Sequence, residues 1–99
     1  MDMFKMIKEA AAMRSKLSQM DKALSDRLID VETRGIKVKI NAKSEIIDLT
    51  LPEDFMKKEI RQAEKDILAA LQQAGKKSRE VMAEEAKKFT GGMNIPGLM

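Results

Sequence analysis

Six basic residues in the second half of the chain, Lys58, Arg61, Lys65, Lys76, Arg79 and Lys87, have the type and spacing to hold phosphates. Counted at 100° per residue from Ile67, they fall at roughly 120° to 200° of a helical wheel. An apolar line of Ile67, Leu71, Ala74, Ser78 and Met82 falls on the other side, at roughly 340° to 60°. The acids Glu59, Asp66, Glu80 and Glu84 occupy a neighbouring stripe. Lys and Arg aligned on one face reach phosphate oxygens along a duplex without needing a base edge. An ordinary solvated helix face carries such residues too, so the ridge is a candidate DNA-binding surface. The basic residues of the first helix show no such sorting.

Other chemistry finds little to work with. The chain has no His and no Cys, which removes disulfides, thiolate and Ser-His-Asp mechanisms, and the usual zinc and haem ligand sets. Trp and Tyr are absent and Phe occurs three times, too few aromatic faces for a single-strand stacking platform. Gly75-Lys76-Lys77-Ser78 matches only the end of a phosphate-binding loop, because Ala70 stands where the first glycine is needed. Glu53-Asp54 reads as a helix-start bias and Glu84-Glu85 as a solvated face. Lys37 and Lys39 form a basic patch with Arg34 and Lys43, but they are expected to face Glu32, Asp30 and Asp48 on a charge-balanced sheet. The expectation is therefore a non-enzyme with no catalytic residue, no metal, no cofactor and no small-molecule substrate.

The elements that must position these residues follow from periodicity. Met3, Met6, Ala10, Met13, Leu17, Met20 and Leu24 recur at spacings of three and four, a heptad seam on a helix from about Asp2 to Arg27. Phe4, Ile7 and Ala11 add a second apolar line near its start. The period then becomes two. Ile29–Thr33 and Ile36–Ile40 read as strands joined at Arg34-Gly35, with Val31 opposite Val38 and Ile29 opposite Ile40. Glu32 and Asp30 would then face Lys37 and Lys39. A third strand, Glu45–Leu51, is expected to turn at Ala42-Lys43, with Val38 opposite Ile47 and Lys37 opposite Asp48. Pro52, Glu53 and Asp54 suit a helix N-terminus, and the pattern runs on to about Lys88.

A helix of that length would reach about 54 Å, well beyond a domain of this size. The chain holds only 23 Leu, Ile, Val and Phe residues beside 11 Ala and 9 Met, so its own core is small. Either the helix packs on a second subunit or it projects as an arm, and the small core favours a partner chain. The prediction is one α+β domain over residues 1–89, ordered α-β-β-β-α and dimeric, with a flexible tail over residues 90–99. No export signal or membrane span is read from the sequence, and a cytoplasmic location is expected. A net charge of +3 leaves the partner to be decided by where the charges lie.

The order of these elements, together with three local motifs, resembles the YbaB/EbfC family of bacterial nucleoid-associated DNA-binding proteins. The motifs are the Met-rich helix with Met13 and Met20, the strand Ile36-Lys37-Val38-Lys39-Ile40-Asn41, and Gly91-Gly92-Met93-Asn94-Ile95-Pro96-Gly97. The short Thr33-Arg34-Gly35 hairpin and Ala42 after Asn41 depart from the family's Gly-rich hairpin and Asn-Gly. The resemblance implies a homodimer built around the sheets with projecting helices. It also implies double-stranded DNA as partner, with little sequence preference, and association with the nucleoid. The rival reading is a dimeric scaffold or adaptor that binds another protein through its Met-rich helices. The family carries no residue-by-residue DNA motif across, so the site residues rest on the helical wheel.

Overall fold

In a computed structural model the described residues are 2–89. The expected flexible tail, 90–99, lies outside them. The order is α1 (Met3–Asp26), β1 (Leu28–Thr33), β2 (Ile36–Asn41), β3 (Ile46–Thr50), a 3-10 turn (Phe55–Lys57) and α2 (Ile60–Phe89). The strands form one antiparallel sheet in the order β1-β2-β3. The α+β class and the α-β-β-β-α order are as expected from the sequence.

The first hairpin forms in the expected register, with Val31 opposite Val38, Ile29 opposite Ile40, Glu32 opposite Lys37 and Asp30 opposite Lys39. Its two turn residues, Arg34 (φ 54°) and Gly35 (φ 83°), both take the left-handed conformation that matches the twist of a tight hairpin. The third strand pairs two residues away from the expectation, with Val38 opposite Leu49, Lys37 opposite Thr50 and Lys39 opposite Asp48. The cause is the connection between β2 and β3. Asn41 Oδ1 accepts from the amides of Lys43 (3.0 Å) and Glu45 (2.9 Å), closing a loop in which Ser44 has φ 65°. A bulge between Lys39 and Ile40 then takes up the extra residue.

Alternation decides the core. Ile36, Val38 and Ile40 point to one face of the sheet and are almost wholly buried, with Ile29 beside them. Helix α2 lies over this face and covers β1 and β2. It starts at Ile60 rather than near Pro52. Phe55 turns into the core, and Lys58 has extended backbone (φ −75°, ψ 152°), which interrupts any helix begun earlier. The line that α2 buries is Asp66, Ala70, Ala74, Ser78 and Val81. Relative to the expected line of Ile67, Leu71, Ala74, Ser78 and Met82, the helix is rotated by about 60°. Small residues at four-residue spacing let the backbone come close to the sheet, so the bulky ones are turned to the flank.

Two consequences bear on function. Helix α2, at 30 residues, is about 45 Å long, and the chain measures 69 × 25 × 18 Å. The expected overhang is therefore present. Of the heptad seam on α1, only Leu24 is buried and Met20 partly so, while Met3, Met6, Met13 and Leu17 stay exposed. Among the described residues, no helix is long and apolar enough to cross a membrane.

Candidate nucleic-acid interface

The sequence places six basic residues on one ridge, and the structure separates them into five and one. Arg61, Lys65, Lys76, Arg79 and Lys87 lie exposed on α2, on the side away from the sheet. Lys58 precedes the helix and does not share its wheel. Its ammonium turns inward and donates to Asp66 Oδ2 at 2.5 Å, and lies 5.6 Å from the centre of the Phe55 ring. The rotation of α2 favours the other five. The true buried line is centred almost diametrically opposite them, where the expected line was not.

Electrostatic surroundings sharpen the distinction. Lys77 and Lys88, off the ridge, are paired with Glu80 (3.9 Å) and Glu85 (3.1 Å) on their own helix. Arg27 also reaches Glu85, at 3.7 Å. Among the described residues, Arg61, Lys65, Lys76 and Arg79 have no carboxylate partner. Their charge is thus open to an external anion. Arg79 is also close to the helix backbone at Gly75, with Nη1 3.3 Å from where a Cβ would stand. The sheet's outer face differs. Lys37 and Lys39 stand there in cross-strand register with Glu32, Asp30 and Asp48, around a shallow concavity of about 420 Å³. Interspersed acids make that face a poor match for a polyanion.

Asp66, which anchors the arm, was missed in the sequence, where it falls with Glu59, Glu80 and Glu84 on the stripe beside the ridge. Its side chain is 3% exposed and accepts from Lys58, from Arg34 Nη1 (2.9 Å) and from Gln62 Nε2 (2.9 Å). Lys58 first, then Arg34 and Gln62, hold the carboxyl down to about 2, against burial that pushes it up. The cluster ties the first turns of α2 to the β1–β2 hairpin. The other end of the contact is Ser78, which donates to the Asn41 carbonyl (2.8 Å) and shares a hydrogen bond with Ser44 (2.9 Å). These two anchors fix which face of α2 meets the sheet, and so which face carries the ridge outward. The run Ala70, Ala74, Ser78 was the signal in the sequence that could have identified the buried line.

The profile of the YbaB/EbfC DNA-binding family matches residues 1–93. The chain belongs to that family. A nucleoid-associated protein of Afipia carboxidovorans is 35% identical, the match covering 98% of this chain and 95% of that one. One of Thermoanaerobacter pseudethanolicus is 32% identical, over 94% and 86%. An uncharacterized protein of Helicobacter pylori, known from a crystal structure, superposes with a TM-score of 0.76 at 18% identity, covering 92% of this chain and 99% of that one. This last likeness bears on the fold alone.

Beside the ridge, an apolar surface stands open. Ile46, Ile47, Leu49 and Leu51 of the β3 region are 39–53% exposed, because α2 does not extend over them. The adjoining flank of α2 carries Ile67, Leu71 and Met82, of which Met82 is 41% exposed. The α1 seam adds Met3, Met6, Met13 and Leu17, all more than half exposed, and exposed apolar surface of this kind marks an interaction site.

Proposed function

We propose that this is a nucleoid-associated, non-enzymatic protein of the cytoplasm. It binds duplex DNA with low sequence preference, as a homodimer, through the basic face of α2. The observation that carries this reading is the exposed, unpaired set Arg61, Lys65, Lys76 and Arg79 on the side of α2 away from the sheet. Contacts of this kind are to phosphate, so they position the protein without reading bases. Lys58, bound to Asp66, contributes to the anchor of the arm rather than to the contact surface. A second copy is the natural cover for the apolar surface of β3, the α2 flank and α1. The family to which the chain belongs, and the names of its relatives, favour DNA over a protein cargo for the arms.

Electrophoretic shift on unrelated duplexes across a salt series tests this. Reversing Lys76 and Arg79 to Glu is expected to weaken binding to every sequence by about tenfold or more at moderate salt, and to reduce the log-log salt slope by about 0.9 per lost contact. Reversing Lys37 and Lys39 is expected to affect stability more than binding, since it opposes like charges across the strands. If the Lys76/Arg79 variant bound normally while a folded Lys37/Lys39 variant lost binding, the sheet would be the contact surface.

A further inference from the structure

The charge on the outer line of α2 is not evenly spread. Read along the exposed side, the line is Arg61, Lys65, Ala69, Gln72, Lys76, Arg79, Ala83, Lys87, each three or four residues after the last. Two basic pairs, Arg61/Lys65 and Lys76/Arg79, are separated by the uncharged Ala69 and Gln72. Ala83 separates the second pair from Lys87. At 1.5 Å per residue, the centres of the two pairs are about 22 Å apart, and Lys87 stands about 14 Å further on. The whole line is about 39 Å long.

A B-form duplex offers a matching spacing. A straight rod laid along its axis meets one phosphate backbone, crosses a groove, meets the other backbone, crosses the second groove, and returns to the first after one turn of about 34 Å. The grooves are unequal, about 12 Å and about 6 Å wide between backbones that themselves have breadth. With the rest of the turn shared equally between the two backbones, about 8 Å each, the phosphate-to-phosphate steps are about 20 Å over the major groove and about 14 Å over the minor groove. The two intervals of the basic line, about 22 Å and about 14 Å, lie close to these.

We propose that α2 lies lengthwise on B-form DNA, across the grooves and not inside one. Arg61/Lys65 and Lys76/Arg79 sit on the two backbones that border a major groove, and Lys87 reaches the next backbone over the minor groove. This deepens the proposed function and rests on its assignment of the α2 face to DNA. Over the major groove the line presents only Ala69 and Gln72, of which Gln72 alone has a polar side chain, so base reading is almost absent. The ligand class is therefore B-form duplex, selected by the spacing of its backbones. An A-form duplex has a deep, narrow major groove and a wide, shallow minor groove, so its backbones do not meet the basic pairs at these intervals.

The test is binding of the full chain to a 24-base-pair DNA duplex and to an RNA duplex of the same sequence, each across a salt series. Wild type is compared with Arg61→Glu/Lys65→Glu and Lys76→Glu/Arg79→Glu, and with Gln versions of both pairs in case a charge reversal disturbs the fold. The expected result is at least about tenfold tighter binding to DNA, and similar losses of salt slope for the two pairs, about 1.8 for each arm in contact. RNA bound as tightly as DNA, with both pairs still required, would overturn the spacing match while leaving α2 as the contact face. Dependence on one pair only would do the same. If neither pair mattered in folded protein, both the inference and the underlying reading would fall.

Discussion

Asp66 shows how one side chain sets the frame for the rest. It is a buried carboxylate that stays charged because Lys58, Arg34 and Gln62 all donate to it. Its carboxyl lies at about 2 in the folded chain, below the ordinary 3.8. The unfolded chain therefore binds a proton more readily through this group. The stability it contributes is fully present above about pH 4 and is lost as pH falls through about 2. Asp66→Asn is expected to lower the denaturation midpoint at neutral pH and to remove this part of the acid sensitivity. The check is urea unfolding of both proteins between pH 2 and pH 7, at equal protein concentration. A constant gap between wild type and Asp66→Asn across the whole range would refute the role given to its ionisation. The charge of Asp66 was plain in the sequence, but its burial was not. Only the packing of α2 turned it inward, and its two charged partners are 32 and 8 residues away in the chain.

At the scale of elements, Asn41 is the joint between α1, the sheet and α2. Its amide closes the β2–β3 loop through Lys43 and Glu45, and its Nδ2 donates to Glu45 Oε1 (2.8 Å) and the Ser25 carbonyl (3.3 Å). Its own carbonyl accepts from Ser78. Next to it, the Ala42 amide donates to the Leu24 and Arg27 carbonyls, and Lys43 pairs with Asp21 at 2.9 Å, which pins the end of α1. Asn41→Ala leaves two part-buried loop amides without their acceptor, so it is expected to cost about 1–2 kcal/mol. Chemical denaturation measures this, and a loss below about 0.5 kcal/mol would show that the loop closes without the side chain. The same joint explains why the third strand was legible as a strand but not in register. Alternation announces Ile47, Leu49 and Leu51 as one face, whereas the length of the loop is set by a side chain folding back on the backbone.

For the whole molecule, the open question is what covers the apolar surface. Leu49 stands on the core face of β3, opposite Val38, yet is 40% exposed. The homodimer proposed above would bury it twice, once from each copy. Sedimentation at low micromolar concentration is expected to give roughly twice 11.1 kDa. Leu49→Glu is expected to weaken the dimer by about a hundredfold or more, since a carboxylate would be buried unpaired on each side. Its fold should persist, because the position is half open in the single chain. A folded monomer for the wild type would remove the dimer from the proposal, and would leave the exposed α1 seam to a different protein partner.

Period and turn chemistry were enough to determine the order of the elements and the first hairpin with its register. These depend on residues close together in the chain, such as Arg34-Gly35 between two alternating strands, and local geometry admits few other solutions. The basic line of α2 was likewise readable, because a helix converts sequence spacing directly into a face. Tertiary structure decided which way that helix is turned. Ala70, Ala74 and Ser78 allow a closer approach to the sheet than Ile67, Leu71 and Met82 would, and close approach wins where the backbone must dock through Ser78 and Asp66. That rotation buried Asp66, to which Lys58 is bound, and left the large side chains on the flank of the helix. None of these is a property of neighbours in sequence; each follows from the contact between α2 and a sheet that begins more than twenty residues earlier.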